Sequence, residues 1–323
     1  MSEQHKGLGR KTAELAVATL FTSFMVWSQL LFLALFIYVP LLRVPMVLYV
    51  GFKVLDPAVE NGRGRPFKKW IRTLGVWQYL ASYFSCSVSI EEDIDPNSQY
   101  VYGYHPHGIL SYGAQIFGCY SMELFNKMNG DHLYPVALPV ALRLPIFGDY
   151  LMALGAVSCS KACIRRVLGN KKNSIAVVIG GAQESLHGEP GKPELILDKR
   201  KGFVREAIMA GAYLCPIYVF GETGIYRQVR CSPGSFLYKI ECWVQWYFSF
   251  AAPLFYGRFL LVPFRAKLHF VRGKVVHVKH NPNPTRQEVE YYHELYKEEL
   301  VRLYNKYRYK YEPYPHADLK FAE

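Results

Sequence analysis

The stretch Gln99-Tyr-Val-Tyr-Gly-Tyr104, followed at once by His105-Pro106-His107-Gly108, decides how this chain is read. Aromatic and β-branched residues dominate the first six positions, the signature of a buried strand. Pro106 cannot donate to a central ladder, so the strand must stop there. Apolar residues recur at Ile109, Leu110 and Ile116, which predicts a helix beginning near Gly108. His107 then sits in a strand-to-helix turn beside a helix N-terminus. The positive end of the helix dipole disfavours imidazolium and keeps the ring a neutral base near pH 7. A residue that activates a hydroxyl needs that state.

Working outward, further strands are expected at 133–141, 174–179 and 214–220, alternating with helical patterns. The chain from 56 to 323 therefore reads as one layered α/β domain. The second of these strands runs into Gly180-Gly181-Ala182-Gln183-Glu184-Ser185. Paired glycines after a buried strand allow a sharp turn or close approach to a ligand. A helix over 203–210 is closed by Gly211 at its C′ position. Lys199-Arg200-Lys201-Gly202-Phe203-Val204-Arg205 leads into it. Cations at the positive end of a helix oppose its dipole, so an anionic ligand would explain them. Thr285-Arg286-Gln287-Glu288 is a capping box. It opens an amphipathic helix to about Tyr307, with Val289, Tyr292, Tyr296, Leu300 and Leu303 on its inner face.

The net charge is +12 over 323 residues, which calls for an anionic partner such as a membrane surface or a phosphate-bearing substrate. The basic residues are scattered, without zinc-finger spacing or a basic heptad region, so no nucleic-acid partner is expected. The seven cysteines are odd in number and lack C-x-x-C spacing; neither a disulfide framework nor a zinc site follows, and a reducing, cytosol-facing environment fits.

Leu15 to Leu42 contains no charged residue, a run of roughly 28 where about 20 apolar residues span a bilayer. Apolar character resumes after Arg43, and Pro40 and Pro45 interrupt it. Both flanks are basic, which places both in the cytosol and predicts a transmembrane or re-entrant hairpin over 15–55, behind a cytosolic segment 1–14. A single pass is the alternative. The stretch is too long for a cleaved signal peptide. A second aromatic-rich region, 236–256, reads either as a buried core helix or as an interfacial helix dipping into one leaflet.

Three segments carry a resemblance: YVYGYHPHGILSYGA at 100–114, GGAQES at 180–185 and RKGFVREAIMAGAYLCPIYVFGE at 200–222. In that order, behind a long apolar segment and a basic linker, they resemble the type 2 diacylglycerol acyltransferase family. That family also holds monoacylglycerol and wax-alcohol acyltransferases. The resemblance covers nearly the whole chain. It implies a glycerophosphate-acyltransferase-like layered α/β domain at the endoplasmic reticulum membrane or lipid droplet, using acyl-CoA and no metal or other cofactor. His107 is then the base, His105 a required neighbour and Glu184 an acidic partner. The distantly similar glycerophosphate acyltransferases place an Asp beyond their His, where Tyr112 stands here, five after His107. Glu184 would take over that role. Tyr83-Phe84-Ser85 also departs from the family, many members of which carry Pro in the third place.

The implied reaction is acyl transfer from acyl-CoA to a lipid hydroxyl, diacylglycerol being the expected acceptor and monoacylglycerol or a fatty alcohol the alternatives. Glu184 would orient the His107 ring as a triad carboxylate does. Backbone N–H groups near Gly108 or Gly180–Gly181 would hold the oxyanion. Pro106, Gly202 and Phe203 fall with these glycines in the substrate-binding set. Arg200, Lys201 and Arg205, with Arg143, would meet the phosphates of coenzyme A. Other readings stand beside this one. His-x-His binds metals elsewhere, with Asp149, His187 or Glu184 as further ligands reachable only through folding. Glu184 could simply cap its segment. Ser111 and Ser185 lack a G-x-S-x-G elbow. A non-catalytic lipid-binding or scaffolding protein is the competing class, and a homo-oligomer is open.

Overall fold

The strand read at 99–104 forms as Tyr100–His105, and it lies inside the main sheet rather than at an edge. A computed structural model describes residues 7–62, 68–119, 132–185, 188–229, 232, 234–239, 242–243, 254–259 and 261–322. In chain order these form α1 (Leu8–Thr22), α2 (Phe24–Tyr38), α3 (Arg43–Leu55), α4 (Lys68–Arg72), α5 (Val76–Tyr83), β1 (Ser87–Ile90), β2 (Tyr100–His105), α6 (Tyr112–Cys119) and β3 (Leu133–Ala137). There follow α7 (Pro139–Arg143), α8 (Phe147–Ala153), β4 (Val157–Ser158), α9 (Lys161–Gly169), β5 (Ser174–Val178), α10 (Gly181–Ser185), β6 (Glu194–Ile196) and α11 (Gly202–Ala210). The chain continues through β7 (Tyr213–Phe220), β8 (Arg227–Gln228), β9 (Phe255–Tyr256), β10 (His269–Arg272), α12 (Arg286–Tyr311) and β11 (Lys320–Ala322).

The main sheet runs β1-β10-β7-β2-β5-β3-β4. From β7 to β4 all neighbours are parallel, while β10 runs antiparallel to β7 and carries β1 parallel at the edge. A parallel sheet needs both faces covered, and β2 shows how. Its six residues are all buried. Val101 faces a core built with Val204, Ile208, Tyr296, Leu300 and Leu303 from α11 and α12. Tyr100, Tyr102 and Tyr104 face the other core, with Trp77, Leu80, Tyr112 and Ile116. Each buried Leu on α12 stabilises this layering by about 1.5–3 kcal/mol.

The capping box forms as read, with both reciprocal bonds present. Gly211 closes α11 at φ 69°, its N–H bonding back to Ala207 and Ile208. The run 133–141 divides, because Pro139 opens α7 at its first turn and ends the strand behind it. The helix expected near Gly108 starts only at Tyr112. Gly108 (φ 60°) and Ser111 (φ 51°) both take left-handed backbone, and Ser111 Oγ donates to the His107 carbonyl at 2.9 Å. A tight turn therefore separates His107 from α6, and the dipole argument for its neutrality does not apply.

The 15–55 region is where a transmembrane or re-entrant hairpin is expected. It contains parts of three helices, and no single described helix is long and apolar enough to cross a membrane. α1 and α2 meet at a 68° bend and pass that test only as a pair. Hydroxyls of Thr19, Thr22 and Ser23 bond back to carbonyls four residues earlier, a habit that bends helices. α2 and α3 expose Leu30, Leu31, Leu33, Leu48 and Leu55, and the turn between them exposes Leu41, while α1 contributes Ala18 to the core beside Trp77. The region 236–256 lies largely outside the described residues; 236–239 and 242–243 are helical, with Phe236 and Trp243 exposed.

Candidate active site

His105 ends β2 with its side chain on the α12 face. Gly103, two positions earlier on that face, lacks the Cβ that would lie 2.6 Å from Ile179 Cδ1 and 2.9 Å from Tyr296 Cζ. The Tyr296 ring fills that space, and its hydroxyl meets His105 Nε2 at 2.9 Å. Phe203 packs behind Tyr296, ring centroids 5.1 Å apart. It is thus a core residue bracing Tyr296. His105 is fully enclosed, and burial pushes its imidazole down to about 3.

The chain then turns through a cis His105–Pro106 bond to His107. His107 Nδ1 lies 2.9 Å from the Gly108 carbonyl. A carbonyl only accepts, so Nδ1 carries the proton and Nε2 keeps its lone pair. Burial lowers the His107 pKa, with the Gly108 carbonyl pulling the other way. The ring is thus a neutral base with a fixed tautomer, for reasons other than a helix dipole.

Glu184, on α10, is buried, and burial raises its carboxyl to about 7. Its Oε1 accepts from the backbone N–H of His107 and its Oε2 from that of Ile196 at 3.0 Å. The triad expectation is corrected here: the carboxyl grips the backbone of His107, and the Gly108 carbonyl orients the ring. Gly180 makes room for it. A Cβ there would lie 2.8 Å from Glu184 Cβ, with the carboxyl oxygen closer still. Gly181 differs, since nothing lies within 4 Å of its absent Cβ and its φ of 63° is what favours glycine.

Pro106, Gly108 and Glu184 line one cleft with Tyr218, Gly221 and Thr223. The basic residues expected to meet phosphates are engaged elsewhere or face outward. Arg200 donates to Gln183 at 2.8 Å, Lys201 reaches both oxygens of Glu290 at 2.6 Å, and Arg205 is exposed. Gly202 opens α11 and Arg143 ends α7. Asp149, considered as a metal ligand, instead receives Lys53 Nζ at 3.0 Å and the Tyr49 hydroxyl. His187 lies outside the described residues. Glu290, His293 and Glu294 come close enough to share a metal ion, but Lys201 already supplies a cation to Glu290.

Two residues of this centre were not singled out from sequence. Tyr296 appeared only as one more apolar position on the inner face of α12. Glu222, fully buried with its carboxyl raised to about 8 by burial, closes the matched segment 200–222; a Glu following Gly221 at the end of a buried strand was the available signal.

The structure thus joins a layered α/β domain to a neutral, tautomer-fixed histidine just beyond the end of a central parallel strand. The family described as diacylglycerol acyltransferase matches residues 35–322. The chain is 35% identical to 2-acylglycerol O-acyltransferase 1 of Bos taurus, covering 94% of this chain and 93% of the relative. It is 35% identical to diacylglycerol O-acyltransferase 2A of Umbelopsis ramanniana, over 93% and 89%. To acyl-CoA wax alcohol acyltransferase 1 of Mus musculus it is 32% identical, over 89% of each. The chain belongs to the diacylglycerol acyltransferase family and is an acyltransferase.

Proposed function

We propose that the protein transfers a fatty acyl group from acyl-CoA to the free hydroxyl of diacylglycerol, making triacylglycerol, with His107 as general base. The observation that carries this is the Nδ1 contact with the Gly108 carbonyl, which leaves Nε2 as the proton acceptor. Nε2 takes the acceptor hydroxyl proton as the oxygen attacks the thioester carbonyl. The new C–O bond forms, the tetrahedral oxyanion collapses, the C–S bond breaks, and the imidazolium returns its proton to the coenzyme A thiolate. The His107 N–H is occupied by Glu184, so N–H groups at Gly108 and Gly180–Gly181 are the proposed oxyanion donors. Glu184 and His105 hold the backbone that leads into the base. Arg200, Lys201 and Arg205 would re-pair with coenzyme A phosphates. No metal or other cofactor enters this mechanism.

The domain, read as glycerophosphate-acyltransferase-like, would sit on the cytosolic face of the endoplasmic reticulum or a lipid droplet, anchored by the 15–55 segment and its exposed leucines. The names of relatives also point to 2-acylglycerol and wax alcohol as acceptors, and a panel separates them. Microsomes carrying wild type or His107→Ala are given labelled oleoyl-CoA with diacylglycerol, monoacylglycerol or hexadecanol. The expected result is label in triacylglycerol from wild type alone. Equal incorporation by both proteins sinks the base assignment; preference for another alcohol sinks the acceptor.

A further inference from the structure

Glu222 follows β7 after Gly221, and its carboxyl is enclosed in the core at 2% exposure. Its Oε2 accepts from the Tyr104 hydroxyl at 2.9 Å and from the Gly113 N–H at 2.9 Å. Tyr104 is the β2 residue just before His105, and Gly113 is the second residue of α6. Between these two points lies the turn that carries His107. Glu222 also fills the space beside Gly108: a Cβ on that glycine would lie 2.8 Å from Glu222 Cγ and 3.1 Å from its Oε1. Gly108 supplies the carbonyl that orients the His107 ring.

We infer that Glu222 is a positioning residue for the acyl-transfer reaction, clamping the 108–113 turn so that the Gly108 carbonyl stays on His107 Nδ1. The inference rests on the reading of His107 as base. Burying a carboxyl costs free energy that an apolar side chain of similar size would not. A cap for α6 alone could come from a local Ser or Asp at the helix start. A glutamate brought in from another strand spans both ends of the catalytic turn, which a local cap does not.

The test compares wild type with Glu222→Gln, Glu222→Leu, Tyr104→Phe and His107→Ala, each as monodisperse full-length protein in detergent micelles. Rates are measured with labelled oleoyl-CoA and acceptor, expressed per folded enzyme. Because a misplaced base costs rate rather than binding, Glu222→Leu should lose about a hundredfold in kcat with KM for oleoyl-CoA within about twofold. Glu222→Gln keeps a carbonyl acceptor and should recover most of that loss. Tyr104→Phe should fall about tenfold at unchanged KM. A Glu222→Leu enzyme with reduced yield but wild-type kcat overturns the inference, leaving Glu222 a stability residue. If Glu222→Leu does not fold, wild-type kcat in Tyr104→Phe overturns it instead. Activity retained in His107→Ala refutes the base; a dead His107→Ala beside a fully active Glu222→Leu refutes only the clamp.

Discussion

Gly180→Ala is a one-carbon change with a calculable consequence. The added Cβ would lie 2.8 Å from Glu184 Cβ and closer still to its carboxyl, so the Glu184 side chain must swing away from α10's first turn. Two backbone N–H groups, His107 and Ile196, then lose their acceptor. A buried donor left unpaired costs about 1–3 kcal/mol, so the pair sets a stability loss of about 2–6 kcal/mol. A shift of His107 by about 1 Å would lower kcat about a hundredfold. The assay is initial-rate acyl transfer at saturating oleoyl-CoA and acceptor, beside thermal unfolding of the same micellar protein. Gly181→Asn serves as the contrast. Asn tolerates left-handed backbone, and open space surrounds that position, so both rate and unfolding temperature should stay near wild type. Wild-type rate and stability in Gly180→Ala would refute the role assigned to Glu184; equal damage in both variants would show that the turn, not the carboxyl, matters.

Tyr296→Phe should destabilise the protein by about 1–3 kcal/mol by stranding His105 Nε2 in the core, read as a shift in urea midpoint. Stability should also pass through a maximum and fall on both its acid and its alkaline side. Below 6.5 the unfolded chain takes up protons that His105 (about 3 when folded) and His269 (about 4) refuse, and His107 and His293 are lowered in the same direction, so stability falls with falling pH. Above 4.5 the folded state holds protons on Glu184 (about 7), Glu222 (about 8) and Glu312 (about 7) that the unfolded chain releases, so stability falls with rising pH. Glu222→Gln should flatten the alkaline limb, and an unfolding midpoint that climbs steadily from pH 6 to pH 8 would contradict this assignment. Activity on the acid side should persist below pH 6.5, because His107 stays neutral there; a midpoint at or above 6.5 in the pH profile of kcat/KM would contradict its burial.

The parts of the fold legible in the sequence were those governed by local chemistry. Aromatic and β-branched runs marked the β2, β5 and β7 strands; Thr285 and Glu288 marked the start of α12; Gly211 marked the end of α11. What escaped depends on residues distant in the chain. Apolar periodicity at Ile109 and Ile116 could not reveal that Gly108 and Ser111 turn left-handed, since that geometry is fixed by Glu222, more than a hundred positions later. Gly180 is the local exception: its pairing with Gly181 suggested a sharp turn or a close approach to a ligand, whereas the space it leaves is taken by Glu184 four residues on. The resemblance makes His107 the base and His105 its required neighbour, with nothing in the sequence to say how the two environments differ. Strand alternation and the tyrosine of α12 separate them, one sealed in the core and the other held by its own neighbour's carbonyl.

The Tyr112 hydroxyl, which donates to the Phe21 carbonyl at 3.0 Å and also to that of Thr22, stitches the α1–α2 bend onto the helix that follows the catalytic turn. Gln29 adds a second stitch to the Pro145 carbonyl at 2.8 Å. The N-terminal helices are therefore poor candidates for trimming. A chain begun at Arg43 would lose Ala18 from between Trp77 and its neighbours, uncover the Tyr150 ring that Phe21 and Phe24 face, and leave a tyrosine hydroxyl without its carbonyls. The N-terminal helices and the catalytic domain share one interior, so surface changes to this region belong on the exposed leucines of α2 and α3, which can be replaced without opening that interior.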